Sequence, residues 1–350
     1  MHDELDLQIA HLLQIDPRIP WVSAARILGV SASSLARRWA RLTDEGLAWI
    51  ATYPSPAGSG LTAFIDVQCA PGRAAELATG LCEHPTILSL DECTGQRNLL
   101  LTVIVPSQDR LSALLLDTLR TLPGVTDAQC SIVTTMHAEG SSWRVDALDP
   151  EQQRAAAAGL QRPAGSTTGV PDRDLLRLLA TDGRMSVAAL ARELGRPTST
   201  IHRELNQLRS HGHVSSRCDV APELSGWSIE WSWFTNVPLG TKAALVDTLR
   251  QRPELRMCAS VSGRANLVFS LRARHFDELA QSERLLAASH PTLVPAETMV
   301  HLRPRKRMGW LLTPDGRTTG HVIAPDFDEL PQPRRESPHS GATATAGPAS

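Results

Sequence analysis

Two short stretches of hydroxyl residues and arginines carry the clearest chemistry in this chain. In the first, Ser31, Ser33 and Ser34 precede Arg37, Arg38 and Arg41; in the second, Thr198, Ser199 and Thr200 precede His202, Arg203 and Asn206. Helical spacing puts residues three and four apart on one face. From such a face an arginine can bond guanine bidentately, and hydroxyls can contact phosphates or bases. This chemistry suits duplex DNA, provided that each stretch opens a helix presented to the major groove.

The flanking residues supply such helices. Leu5, Ile9, Leu12 and Leu13 recur at helical spacing, Asp16-Pro17-Arg18 ends that helix, and a short second helix is expected over 22–28. Gly29-Val30-Ser31 makes the turn, where glycine accepts a positive φ, and Ser31 or Ser33 caps the third helix. Leu35, Trp39 and Leu42 point inward from it. The second stretch is built the same way: Leu175, Leu178 and Leu179, a helix over 187–194, the turn Gly195-Arg196-Pro197, a cap at Thr198 or Ser199, and inward Ile201, Leu205 and Leu208. The likeness is literal. Shifted by 166 residues, Asp6–Gly46 lies over Asp172–Gly212 with thirteen identities, among them Arg18/Arg184, Gly29/Gly195 and Arg37/Arg203. Such a fixed offset defines architecture. The two faces differ in charge: residues 171–217 carry eight Arg against five Asp/Glu, and residues 1–53 five against six.

A longer block follows each copy, repeated at an offset of 168 residues through Gly72/Gly240, Pro85/Pro253, Gly95/Gly263, Asn98/Asn266 and Pro123/Pro291. Alternation and apolar runs predict strands over 61–69, 87–93, 99–105 and 125–134, with helices over 72–83 and 111–122. The other copy predicts strands over 228–237, 256–262, 267–272 and 294–302, and helices over 241–252 and 276–289. The order βαββαβ is that of a ferredoxin-like sandwich. Its bare sheet face needs a cover, and the second copy is the expected one.

A helix-turn-helix followed by βαββαβ, with the Gly95 turn before strand three and Leu122-Pro123-Gly124-Val125 before strand four, resembles the Lrp/AsnC (leucine-responsive) family of transcriptional regulators, in a tandem-duplicated form. The resemblance covers about 1–137 and 171–303. It implies an α+β fold with two winged helix-turn-helix domains alternating with two AsnC-type domains. It further implies DNA binding by the first block of each copy, and dimerisation with amino-acid effector sensing by the second. Gly95, Arg97, Asn98, Gly263, Arg264 and Asn266 are the corresponding effector candidates. The family's turn commonly reads Gly-x-x-Asp, whereas both copies here end in asparagine, which offers hydrogen bonds in place of charge. A plain turn held by asparagine's local bonding fits the same residues.

The domains follow: 1–53 and 171–217 as DNA-binding heads, 60–137 and 226–303 as ligand and dimerisation units, 138–170 as linker, and 304–350 as a basic then disordered tail. Within the linker a helix is expected over 151–160, then a flexible Arg162–Ser166 stretch. Arg303-Pro304-Arg305-Lys306-Arg307 reads as a solvated basic run with DNA phosphates as its alternative, and the chain from Pro331 as disordered.

Net charge is −2, so any nucleic-acid contact is local. Six scattered cysteines, an acidic start without an apolar core and the absence of a membrane-length run point to a reduced, cytoplasmic protein. No zinc spacing, phosphate loop or nucleophile elbow occurs, so neither metal nor cofactor is expected. Trp231 and Trp233 share a face and read as packing residues. The expected protein is a non-enzymatic regulator, one chain acting as a pseudo-dimer on double-stranded DNA, with homo-oligomers and a small-molecule effector as further partners. The alternatives are an enzyme resembling the tetrapyrrole (siroheme) decarboxylases, which share this plan, and a small-molecule sensor that does not bind DNA.

Overall fold

A computed structural model describes residues 2–55, 60–95, 97–160, 172–211 and 214–327. The expected flexible stretch Arg162–Ser166 and the chain from Pro331 lie outside these residues. In the first head, α1 (Glu4–Ile15) starts at a reciprocal cap: Asp3 accepts the Asp6 amide, and Asp6 accepts that of Asp3. α2 (Trp21–Leu28) stops at Gly29, φ +69°. α3 (Ala32–Asp44) is capped by Ser31, which accepts the Ser34 amide at 3.2 Å. β1 (Ala48–Pro54) follows. The second head repeats this with α7 (Arg173–Thr181), α8 (Val187–Leu194), α9 (Thr198–His211) and β6 (Val214–Val220); α10 (Pro222–Ser225) follows and buries Leu224 in the first head's core.

Between the heads run β2 (Leu61–Cys69), α4 (Ala74–Cys82), β3 (Ile87–Cys93), β4 (Leu99–Val105), α5 (Gln108–Ser112, continued by two irregular turns to Thr121), β5 (Val125–Ala138) and α6 (Pro150–Ala157). After α10 come β7 (Ile229–Asn236), α11 (Leu239–Arg250), β8 (Leu255–Val261), β9 (Leu267–Ala273), α12 (Phe276–Ser289), β10 (Val294–Arg307), β11 (Trp310–Leu312) and β12 (Thr318–Val322).

The expectation of two separate open ferredoxin-like units is corrected by the strand pairing. The order β10-β3-β4-β2-β5-β8-β9-β7 returns to β10, giving a closed eight-stranded barrel. The cause is strand length. β5 pairs β2 over Val125–Ile132 and then crosses to β8 from Val133 to Ala138. β10 pairs β7 over Val294–Val300 and crosses to β3 from His301 to Lys306. Each is 14 residues long, more than twice a usual strand. Closure removes the sheet edges that a pair of open units leaves unpaired. Helices cover the outside, where Leu77, Leu81, Leu101 and Leu119 pack in one half and Trp233, Leu249, Phe269 and Leu286 in the other. Trp231 and Trp233 lie in this outer core, ring centroids 4.9 Å apart.

The heads are joined to each other and to the barrel. β1 and β6 form an antiparallel ribbon in which Ala51 faces Arg217, the residue 166 positions later. The turn arginines exchange bonds across the same dyad: Arg18 donates to Gly183 O and Met185 O at 2.5 and 2.8 Å, and Arg184 to Pro17 O and Ile19 O at 2.7 and 2.9 Å. Along β1, Ala48 and Ile50 enter the first head's core while Trp49, Ala51 and Tyr53 pack on Leu88, Ile104 and Trp310. That alternation is the period of a strand covered on both faces.

Two boundary expectations change. The linker is part of the first head: Trp143, Val145, Leu148 and Ala156 enter its core, and buried His11 Nδ1 accepts the Ala147 and Leu148 amides. The basic run is not a free segment, because Arg303–Arg307 is the crossing half of β10. Lys306 is fully buried there and donates to Cys82 O and His84 O. The chain then continues through β11 and β12 to Phe327, buried on Leu176 and Ala180.

Candidate active site in the barrel

Alternation along the barrel strands decides what the interior contains. β2, β4, β7 and β9 send Phe64, Leu100, Phe234 and Val268 inward, with Met299 from β10, to form an apolar layer. The same faces carry Thr62, Thr102, Ser232 and Ser270, which line a cavity of about 100 Å³. A second cavity of about 250 Å³ lies beside it, walled by Trp227, Arg272 and Pro304. Asp91, Glu230, His301 and Arg307 line both.

These four groups form the chemical centre of the barrel. His301 has Ser232 Oγ 2.8 Å from Nε2 and Asp91 Oδ2 3.4 Å from Nδ1. Burial disfavours its charged form, but the charges of Asp91 and Glu230 outweigh burial and hold its pKa above the ordinary value. Glu230 is desolvated too; Arg307 at 3.4 Å and Arg272 at 3.5 Å overcome this and keep its carboxyl well below the usual range. The site thus sets an imidazole, whose charged form Asp91 and Glu230 favour, beside guanidinium groups in a low-dielectric enclosure. It can hold a carboxylate and deliver a proton.

A second ionic layer closes the end nearest the heads. Asp219 of β6 receives Arg217 Nε at 2.8 Å and Arg256 Nη2 at 3.0 Å, all three almost fully buried. Burial raises the Asp219 pKa, and the two arginines more than reverse it, leaving it below normal. Burial, with Arg217 and Arg272 nearby, drives Arg256 well below its ordinary value. Tyr53 OH donates to Glu139 at 2.5 Å beside them. This layer ties the β1–β6 ribbon to the barrel mouth.

The glycine turns expected to meet an effector are engaged internally. Arg97 is buried, 2.5 Å from Asp66 and 2.6 Å from Glu297, with its guanidinium 4.3 Å from the Phe234 ring centroid. Burial lifts Asp66 to about 6 against the pull of Arg97. Asn98 Oδ1 accepts the Cys69 amide, and Asn266 both accepts the Val237 amide and donates to Val237 O. Gly95 and Gly263 take φ of +88° and +113°. Arg264 is exposed and reaches Gln129 of the other half at 3.3 Å.

On the heads, Ser31, Ser33 and Arg37 are exposed and Ser34 is half-buried. Arg38 pairs with Asp3 and Asp6, and Arg41 with Asp6 at 2.6 Å, both side chains remaining partly exposed. On α9, Thr198, Ser199, His202, Arg203 and Asn206 are exposed and Thr200 is half-buried. Reading the sequence missed Asp91, Glu230, His301, Arg307 and the Arg217–Asp219–Arg256 triad. The available signal was polar alternation inside apolar strands, as in Glu230-Trp231-Ser232-Trp233. Among the described residues no group of three or more His, Cys, Asp or Glu is arranged to hold a metal, and no helix is long and apolar enough to cross a membrane.

Comparison with known proteins divides the chain. Residues 3–43 match the AsnC-type helix-turn-helix domain and residues 62–143 the Lrp/AsnC ligand-binding domain. Residues 174–217 match an IclR helix-turn-helix domain, so an architecture of two Lrp/AsnC cassettes does not follow. An uncharacterized HTH-type transcriptional regulator of Pyrococcus furiosus is 33% identical over 141 residues, 39% of this chain and 94% of its own. An HTH-type transcriptional regulator of Pyrococcus horikoshii is 29% identical over 140 residues, 39% of this chain and 92% of its own. The crystal structure of the siroheme decarboxylase NirDL covers 91% of this chain and 96% of its own, at TM-score 0.52 and 15% identity. That likeness is one of fold. It removes the basis for expecting a non-enzymatic chain, since the architecture is shared with an enzyme over nine-tenths of its length.

Proposed function

The chain belongs to the Lrp/AsnC family through its first half, and from that premise we propose that it is an enzyme whose closed barrel removes a carboxyl group from an acidic tetrapyrrole. The observation that carries this reading is His301, held between Asp91 and Ser232 beside Arg307 on the wall shared by two cavities. Arg307 serves as the cation for the carboxylate arm. When the bond between that carboxyl carbon and its neighbour breaks, carbon dioxide leaves and the electron pair stays on the neighbour. His301 supplies the proton that forms the new C–H bond, and solvent restores it. A preformed proton donor of this kind contributes typically ~10²–10⁴-fold.

Ligand sites for whole drug-sized molecules run to about 300–1,000 Å³, whereas the inner cavity is about 100 Å³. It admits one arm, and the macrocycle must displace the outer wall formed by Trp227 and Pro304. The test is incubation of the full chain with siroheme and with an iron-uroporphyrin III analogue, followed by absorbance and product mass. Binding spectra with loss of carbon dioxide from siroheme, abolished in His301→Gln, are expected. No spectral change and no product would end this reading.

A second reading stands beside it on one observation, the exposed Arg37 and the exposed α9 face of Ser199, His202, Arg203 and Asn206. In it the two unlike heads bind duplex DNA as a covalent pseudo-dimer, with the barrel as sensor. A mobility-shift assay with the Arg37→Ala/Arg203→Ala double variant decides: affinity equal to that of the parent chain refutes the assigned faces.

A further inference from the structure

A cleft of about 690 Å³ opens between the two heads and the β11–β12 ribbon, within the size range of small-molecule sites. Trp21, Trp39, Trp49 and Trp310 line it, half of the chain's eight tryptophans, with Arg18 and Arg184 beside them. Trp49 is 2% exposed and Trp310 9%, and neither indole N–H has a partner.

The cations are equally pointed. Arg184 lies 4.1 Å from the Trp21 ring centroid, and its bonds to Pro17 O and Ile19 O use two of a guanidinium's five N–H groups. Burial, reinforced by the charge of Arg18, pushes Arg184 down to about 10 although Asp16 and Asp182 oppose this. An anion placed alongside would relieve that desolvated charge. Aromatic rings and a cation therefore converge on one chemistry.

We propose that this cleft binds a planar aromatic carboxylate, its ring stacked among the tryptophans and its carboxylate held by Arg184. The site is independent of the barrel reading and of the glycine turns. Its walls come from α2 and α3 of one head, the α7–α8 turn of the other, and β1, β11 and β12, so occupancy fixes how the heads sit on each other.

The test uses the full chain labelled at its tryptophans and naphthoate as probe, with the eight indole N–H resonances as readout. Saturable shifts confined to Trp21, Trp39, Trp49 and Trp310, with Trp143, Trp227, Trp231 and Trp233 unmoved, are expected. Ala40→Glu adds a negative charge at an exposed lining position and should weaken binding about tenfold with an unchanged melting temperature. Arg184→Gln should do the same, and Ala40→Glu keeps the test decisive if that variant misfolds. Naphthalene and cyclohexanecarboxylate, each lacking one half of the recognised chemistry, should both bind much more weakly. The proposal is overturned by shifts spread over all eight indoles, by none at millimolar probe, or by undiminished binding to Ala40→Glu or of cyclohexanecarboxylate.

Discussion

Replacing Asp219 by asparagine tests how the heads are held to the barrel. The side chain keeps its shape and one acceptor oxygen, so the change is almost purely one of charge. Arg217 at 2.8 Å and Arg256 at 3.0 Å are then left facing each other in an interior where Asp219 is 3% exposed and both arginines are about 5% exposed. Removing one partner from a buried ionic group costs about 3–5 kcal/mol, because the remaining charges stay desolvated. Calorimetry of parent and variant at pH 7 should show a loss of this size, read as an earlier transition. The pH dependence adds a second check. The Asp219 pKa is depressed in the folded chain, so its contribution is complete above the unfolded value near ~4 and fades as pH falls through the folded value. The gap between parent and variant should therefore close in acid. Adding Arg217→Gln to the variant should recover part of the loss, since it removes one uncompensated cation. A loss below about 1 kcal/mol, or a gap that persists unchanged in acid, would refute the argument that this triad is a closed electrostatic unit.

Other consequences are checked more simply. His301, whose pKa is raised by Asp91 and Glu230, should give activity and a stability term present at low pH and lost as pH rises through that value; Asp91→Asn should move the falling limb of the rate profile to lower pH. Lys306 is buried on two carbonyls and lowered to about 8. Between about 8 and the unfolded value near ~10.4 the unfolded chain binds more protons, so the parent should gain stability over that window in urea melts, and Lys306→Met should not. Gly183 sits against Ile50, whose Cβ lies 2.8 Å from where an alanine methyl would go, and Gly183→Ala should cost ~1–3 kcal/mol by overpacking. Gly159→Ala, with nothing within 4 Å, is the control and should leave the melt unchanged.

What could be read from the chain alone was whatever local periodicity and turn chemistry determine. The helices of both heads, the turns at Gly29 and Gly195, the Ser31 cap and the inward Leu35, Trp39 and Leu42 each follow from residues a few positions apart, because caps and amphipathic faces are settled within one or two turns. The repeat also showed which residues matter twice, and Arg18 and Arg184 proved to be the reciprocal bonds of the head junction. Even so, it could not show that Arg38 and Arg41 turn back onto Asp6, since that choice depends on where α1 comes to rest.

The barrel was decided only by tertiary structure. Whether Val133–Ala138 or His301–Arg307 continues a strand depends on finding a partner edge more than a hundred residues away, and loop-closure on that scale leaves no short-range signal. Once those halves crossed, the inner faces of both units met, and Asp91, Glu230, His301 and Arg307 came together from strands that show only scattered charges in one dimension. Their shared enclosure, not their spacing, is what makes them a site.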